Sequence, residues 1–238
     1  MNAHVNTRCF PAPAARSALA PRKNNLRILD WMETEGVDLQ MYSSAEQNSL
    51  SVLIPLLLCG EQSAQLVFSQ EVARLAHQCQ HSMKALQEVE LDEYYHDLAL
   101  QHVLNQLPKQ PLQRQAQRKA KRFYTSLARA DNLSQHFVRI STLDACVTQL
   151  MQAVEHCYLG AHHPFARLCG LIKKDEAKHV YVSRQHAFLL GATKQDFVAE
   201  QQLILAALFR LLSEFEQTFT QLGIDLNLVF QRLEAKWQ

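Results

Sequence analysis

Two short segments of this 238-residue chain, Asp92-Glu93-Tyr94-Tyr95-His96 and Asp175-Glu176-Ala177-Lys178-His179, each set a carboxylate and an imidazole three residues apart. On a helix that spacing is about one turn, so both groups of a segment can face one ion. With 14 Glu and 11 His in the chain, chance supplies roughly 0.65 such pairs, and requiring Asp before the Glu lowers that to roughly 0.02. Two occurrences are then expected at the order of 10⁻⁴ to 10⁻³, so the pairing is not noise. Two more carboxylates share an offset: the interval from Glu61 to Glu93 equals the interval from Asp144 to Glu176. The whole set recurs, since Glu61, Glu93 and His96 precede Asp144, Glu176 and His179 by one constant step. This is a helical-hairpin repeat visible only in its polar positions. Packed as a four-helix bundle, the two hairpins would bring four carboxylates and two imidazoles into one core. Such groups repel and lose solvation unless cations sit between them, and two divalent ions would balance the four negative charges.

The third-helix carboxylate has a rival in Glu155. With a turn at Gly160–Pro164, Asp144 falls roughly 6 Å from the level of Glu176 and Glu155 roughly 10 Å, at 1.5 Å per residue, which favours Asp144. Glu71 is a similar rival to Glu61, but it falls off the stripe formed by Leu58, Glu61, Gln65, Phe68, Val72 and Leu75.

The elements that must hold these residues are helices. Only 6 Gly and 7 Pro accompany 47% apolar residues, too few turn residues for a sandwich, barrel or Rossmann sheet. An all-α fold follows, a four-helix bundle with additional helices. Periodicity and breakers predict helices over 55–77, 82–107, 112–129, 132–159, 164–190 and 194–221, then a short amphipathic tail from Leu226. Residues 1–44 read as a basic, partly disordered N-terminal arm and 45–238 as the bundle domain. The stretch from Met1 to Arg27 holds five cations (Arg8, Arg16, Arg22, Lys23, Arg27) and no acid, which also fits a transit peptide. The apolar lining expected beside the metals is Leu58, Phe68, Val89, Val147, Met151 and Ile172.

A net charge of +1 gives no whole-chain attraction for nucleic acid. The six cysteines form no Cys-x-x-Cys pair and read as reduced core thiols, which places the chain in the cytoplasm. The longest apolar run, Val52–Cys59, is interrupted by Pro55 and falls short of the roughly 20 residues of a membrane span, so no spanning helix is expected. His77 and His81, and the turn residues His162 and His163, read as exposed. Tyr94, Tyr95, Tyr158 and Tyr181 read as core or hydrogen-bonding tyrosines. The basic stretch Lys109–Arg122 reads as a solvated helix face, or as a docking strip for an acidic partner such as a carrier protein, or for nucleic acid.

The set Glu61, Glu93-x-x-His96, Asp144, Glu176-x-x-His179 resembles the ferritin-like di-iron carboxylate superfamily over residues 55–190. The resemblance implies two iron ions, or an Fe/Mn pair, held by these six residues, with Glu155 as the alternative ligand. It also implies that Asp92 and Asp175 hydrogen-bond the ligand histidines across the bundle, Asp92 to His179 and Asp175 to His96. Asp144 departs from the superfamily's usual Glu. A radical tyrosine would fall where Leu100 stands, and the third histidine of arylamine N-oxygenases where Ile172 stands. The expected activity is therefore a non-haem di-iron oxygenase or oxidase with O2 as co-substrate. Expected partners are an electron donor, a small-molecule substrate that an acidic carrier could deliver to 109–122, and a second copy in a homodimer. The alternatives are iron storage and a metal-free helical interaction protein.

Overall fold

The structure is a computed structural model that describes residues 8–14, 19–36, 42–76 and 80–237. Among these residues it is all helix, with no strand: α1 (Lys23–Thr34), α2 (Ser44–Leu75), α3 (Gln80–Leu104), α4 (Pro111–Leu127), α5 (Leu133–Glu155), α6 (Pro164–Leu189), α7 (Lys194–Ser213), α8 (Glu216–Gln221) and α9 (Leu226–Trp237). Local chemistry sets most ends. Ser43 and Glu46 close a capping box on α2, and Thr193 and Asp196 do the same on α7. Asn132 caps α5 through the Gln135 amide. Pro111 and Pro164 open α4 and α6 at positions where a missing amide is harmless.

The α2–α3 and α5–α6 hairpins form the bundle. Phe68 of α2 meets Phe137 of α5 edge to face, with ring centroids 5.9 Å apart. The His96–Asp175 and His179–Asp92 contacts set α3 antiparallel to α6, so their hairpin partners α2 and α5 also run antiparallel. Phe68 follows Glu61 by seven residues and Phe137 precedes Asp144 by seven, which puts those two carboxylates level. α4 lies along α2 and carries the chain between the hairpins, and α7 lies along α5. The main core joins Leu50, Leu53 and Ile54 of α2 to Leu100, Met151, Phe165 and Leu168, all fully buried.

Several expectations are corrected. α2 begins at Ser44, eleven residues before Pro55, which sits inside the helix; the Ser43-x-x-Glu46 capping box outweighs the one amide that proline removes. α5 ends at Glu155 and not at Leu159, because the Tyr158 amide bonds the Leu222 carbonyl instead of continuing the helix. The expected 194–221 helix is interrupted after Ser213, where Phe215 turns into the core. α2 is long and apolar enough to cross a membrane, contrary to the reading of Val52–Cys59, but most of its apolar stretch is buried in the bundle.

The basic N-terminal region also differs from a free arm. Its described parts pack on the bundle: Ile28 and Trp31 of α1 are buried, and the Trp31 indole donates to the Pro164 carbonyl at 2.9 Å. Cys9 and Cys59 are joined in a disulfide, their Cα atoms 5.3 Å apart, so these two are not reduced thiols. Spacing in sequence could not pair them, because so long a stretch of chain separates them. Cys146, Cys157 and Cys169 are free and buried. Cys79, His77 and Arg16, and the side chain of His81, lie outside the described residues. His162 is exposed. His163 is half-buried and caps α6, its Nδ1 accepting the Phe165 amide at 3.2 Å.

Candidate metal centre

Glu61 on α2, Glu93 and His96 on α3, and Glu176 and His179 on α6 converge in the bundle, each almost wholly buried. One ligand atom from each of Glu61, Glu93, His96 and Glu176 lies within 4.8 Å of the others. His96 Nδ1 is 3.0 Å from Glu61 Oε2 and 3.5 Å from Glu176 Oε1. His179 Nδ1 is 3.1 Å from Glu93 Oε1 and 3.6 Å from the same Glu176 oxygen. Glu176 thus stands between the two imidazoles. His179 Nδ1 is buried without an aligned hydrogen-bond partner, as a nitrogen aimed at an ion would be.

The other ring nitrogens cross the bundle. His96 Nε2 is 3.3 Å from Asp175 Oδ2, and His179 Nε2 is 3.3 Å from Asp92 Oδ2. Each aspartate therefore contacts the histidine of the opposite segment. An imidazole donating Nε2–H to a carboxylate presents its Nδ1 lone pair to the carboxylate cluster, the tautomer a metal needs. The electrostatics show how strained the cluster is. Burial, then the charges of Glu61 and Glu176, pushes the Glu93 carboxyl well above its usual range. Burial, then Glu176, does the same to Asp144. Glu176 goes the other way, down to about 2, because His179 and His96 outweigh its burial. Burial would lower both imidazoles, yet the surrounding carboxylates raise them. These groups suit divalent cations, which would relieve the same repulsion.

Asp144 is buried beside the cluster, but its Oδ2 accepts the Ser183 hydroxyl at 3.0 Å, and it is not among the four tightly grouped ligands. Glu155 is not at the centre: it lies at the end of α5, partly exposed, and pairs with Lys173. Glu71 is buried farther along the bundle, where it accepts from Arg74 at 2.6 and 2.7 Å and lies 2.6 Å from His186 Nε2. Burial alone would raise the Glu71 carboxyl, but Arg74 and His186 bring it below its usual value. Its ion pairs therefore add stability above the ordinary carboxylate range, and that contribution is lost as pH falls through the depressed value. Glu71→Gln is expected to destabilise the fold by about 1–3 kcal/mol at pH 7. In thermal unfolding, the difference should close in acid.

A cavity of about 80 Å³ touches Glu61, Glu93, Asp144 and Glu176. Of the expected lining, only Val147 reaches it; Leu58, Phe68, Val89, Met151 and Ile172 are buried elsewhere in the core. The error is one of helical phase. At 100° per residue, Leu58 and Leu57 fall on opposite flanks of Glu61, and the cavity lies on the side of Leu57, Gly60 and Ala64. Sequence reading also missed Tyr124 of α4, which lines the cavity. A Cβ on Gly60 would lie 2.7 Å from the Tyr124 hydroxyl oxygen, so glycine is what admits the phenol there. Burial, then the four carboxylates, pushes that phenol well above its usual range. Tyr158 and Tyr181 are exposed.

A further layer holds the two aspartates. Arg22 pairs with Asp92, Asn25 Nδ2 donates to Asp92 Oδ1 at 2.7 Å, and Asn24 Nδ2 donates to Asp175 Oδ2 at 2.5 Å. Lys178 also pairs with Asp175. Burial alone would raise both aspartates; instead His179 and Arg22 hold Asp92 below its usual value, and His96, Lys178 and Asn24 hold Asp175 well below it. Two adjacent asparagines at a helix start gave no signal in the sequence. Arg22→Ala is expected to weaken metal affinity less than loss of Asp92 itself, and chelator competition checks it.

The chain matches no protein-family model, no curated protein and no solved structure, so its site is read from its own geometry.

Proposed function

We propose that this chain is a ferritin-like di-iron protein that uses O2 to oxidise a small organic substrate, as a non-haem oxygenase or oxidase. The observation that carries the reading is the crossed pairing of Asp92 with His179 and Asp175 with His96, with both Nδ1 atoms turned inward among the carboxylates. Glu61, Glu93, His96, Glu176 and His179 would hold the metals, with Asp144 as the third-helix carboxylate; an Fe/Mn pair suits the same donors. Bound iron supplies two-electron chemistry toward O2.

The chain's own residues do the rest. Asp92 and Asp175 fix the imidazole tautomers and raise ligand basicity. The apolar cavity keeps water from the reacting centre. Its roof, α4, carries Tyr124 and Leu127 on the cavity side and exposed Arg114, Arg118, Lys121 and Arg122 on the other. An acidic carrier protein fits that outer face. α2 is read as a bundle helix and the electrons as coming from a separate donor, while the Cys9–Cys59 disulfide removes the thiol argument for a cytoplasmic setting.

The experiment is O2 uptake by the full chain after Fe(II) loading, with its size in solution measured alongside. Catalytic uptake by a monomer or dimer supports the proposal. Assembly into a large shell that accumulates iron would favour storage instead.

A further inference from the structure

Residues 8–14 run along α2 as a strap with no helix or strand of their own. The Cys9–Cys59 bond fixes the strap two residues before Glu61. Gln62 Oε1 accepts the Cys9 amide at 2.7 Å and the Phe10 amide at 3.4 Å. Arg8 pairs with the buried carboxylate of Asp97 and gives Nη2 to Gln65 Oε1 at 3.2 Å. Gln62 Nε2 completes the network by donating to Asp97 Oδ1 at 2.7 Å. The strap therefore clamps the residue after Glu61 on α2 to the residue after His96 on α3. On its outer side, the Lys121 ammonium of α4 stands 6.0 Å from the Phe10 ring centroid.

Apart from the disulfide, its attachments are ones that water can replace. Residues 9–14 make no backbone–backbone hydrogen bond to any described residue, and each side-chain bond adds only about 0.5–1.5 kcal/mol net. Release would also leave Asp97 buried with the Gln62 and Gln101 amides but without its cation. A buried carboxylate that loses its cation is strongly destabilised, so α3 must adjust directly beside His96. Cys9 is the sulfur nearer the surface, because Pro11 and Ala12 just beyond it are exposed while Cys59 is wholly buried on α2.

We propose that Cys9–Cys59 is a thiol–disulfide exchange site, at which a dithiol reductant releases the strap and loosens the α2–α3 side of the metal centre. A thiolate of the dithiol attacks Cys9 Sγ, forming a mixed disulfide as the Cys9–Cys59 bond breaks and Cys59 leaves as a thiolate that takes up a proton. The second thiol of the reductant then displaces Cys9. The reductant has lost two electrons and two protons and closed to its own disulfide, and the protein has gained two thiols. The exchange stands on the strap's contacts; only the effect on iron rests on the di-iron reading.

The test is hydrogen–deuterium exchange of the full chain, free of iron, before and after dithiothreitol under native conditions, with thiols counted by Ellman's reagent after the dithiol is removed. Reduction should add two reactive thiols and speed exchange over residues 8–14 by at least about tenfold. It should also lower the melting temperature by about 4–16 °C, and oxidised glutathione should reverse all three changes. Cys9→Ser should show the fast exchange without reductant, and dithiothreitol should then change nothing. Iron affinity is compared between wild type and C9S, since a dithiol binds iron itself; the variant should hold iron about two- to tenfold more weakly, less than the 10- to 100-fold expected at the aspartates that orient the histidines. Cysteines that gain no reactive thiol in the folded protein, or residues 8–14 that stay protected in folded C9S, would overturn the proposal. Equal iron affinity in wild type and folded C9S would overturn its link to the metal centre. Strap release in a protein that retains no iron would support the exchange site and refute the di-iron reading, and two bound irons beneath a strap that never releases would do the reverse.

Discussion

Glu176→Ala is expected to lose iron binding and iron-dependent O2 consumption together, falling to the level of free iron in buffer. The reason is position. Glu176 Oε1 lies 3.5 Å from His96 Nδ1 and 3.6 Å from His179 Nδ1, so this carboxylate alone stands between the imidazoles of both hairpins. Removing it takes the carboxylate from the second Glu-x-x-His and the group that links His179 to His96, and Ala offers no replacement donor. Glu93→Ala should act in the same direction through its 3.1 Å approach to His179. Iron content after gel filtration and oxygen-electrode traces measure both effects, and helical circular dichroism shows whether the variant is folded. Full occupancy and full O2 uptake in folded E176A would remove the di-iron reading and leave a helical interaction protein as the better account.

Asp175→Asn should leave the iron bound but 10- to 100-fold more weakly, the size of effect usual for a group that orients a ligand histidine. Asp175 touches no other ligand through its side chain than His96, at 3.3 Å, so its influence passes through that ring. Asparagine keeps the shape and can still accept from Nε2–H, but it removes the negative charge that makes the imidazole a stronger donor. Asp92→Asn should give a loss of similar size through His179. Competition against a coloured chelator gives the affinities. A change below twofold in both variants would mean that the crossed pairs are structural contacts only.

The polar repeat was legible because burying four carboxylates and two imidazoles constrains their spacing tightly, and the equal offsets of Glu61 from Glu93 and of Asp144 from Glu176 could be counted in the chain. Bundle helices have a recognisable period, so the all-α fold was legible too. The cavity's lining was not, since it depends on which flank of Glu61 faces α4 and α7. A stripe pattern locates the buried face but does not divide it into flanks. Tyr124 escaped for a related reason: it sits far from Glu61 in sequence, on a helix whose visible signature is its basic outer face. Arg22, Asn24 and Asn25 lie in a stretch dominated by cations and prolines, where composition suggests an arm and only the packed fold shows them against Asp92 and Asp175. The Cys9–Cys59 bond belongs with them, because it ties that same segment to α2 two residues before Glu61.

The central claim is that the crossed Glu-His cluster holds two metal ions. Anaerobic titration of the full chain with Fe(II), followed by metal analysis of the desalted protein and the ultraviolet-visible spectrum on admitting O2, tests it most directly. Two iron ions per chain and a new absorption band on oxygenation are the predicted result; no retained iron and an unchanged spectrum would contradict it.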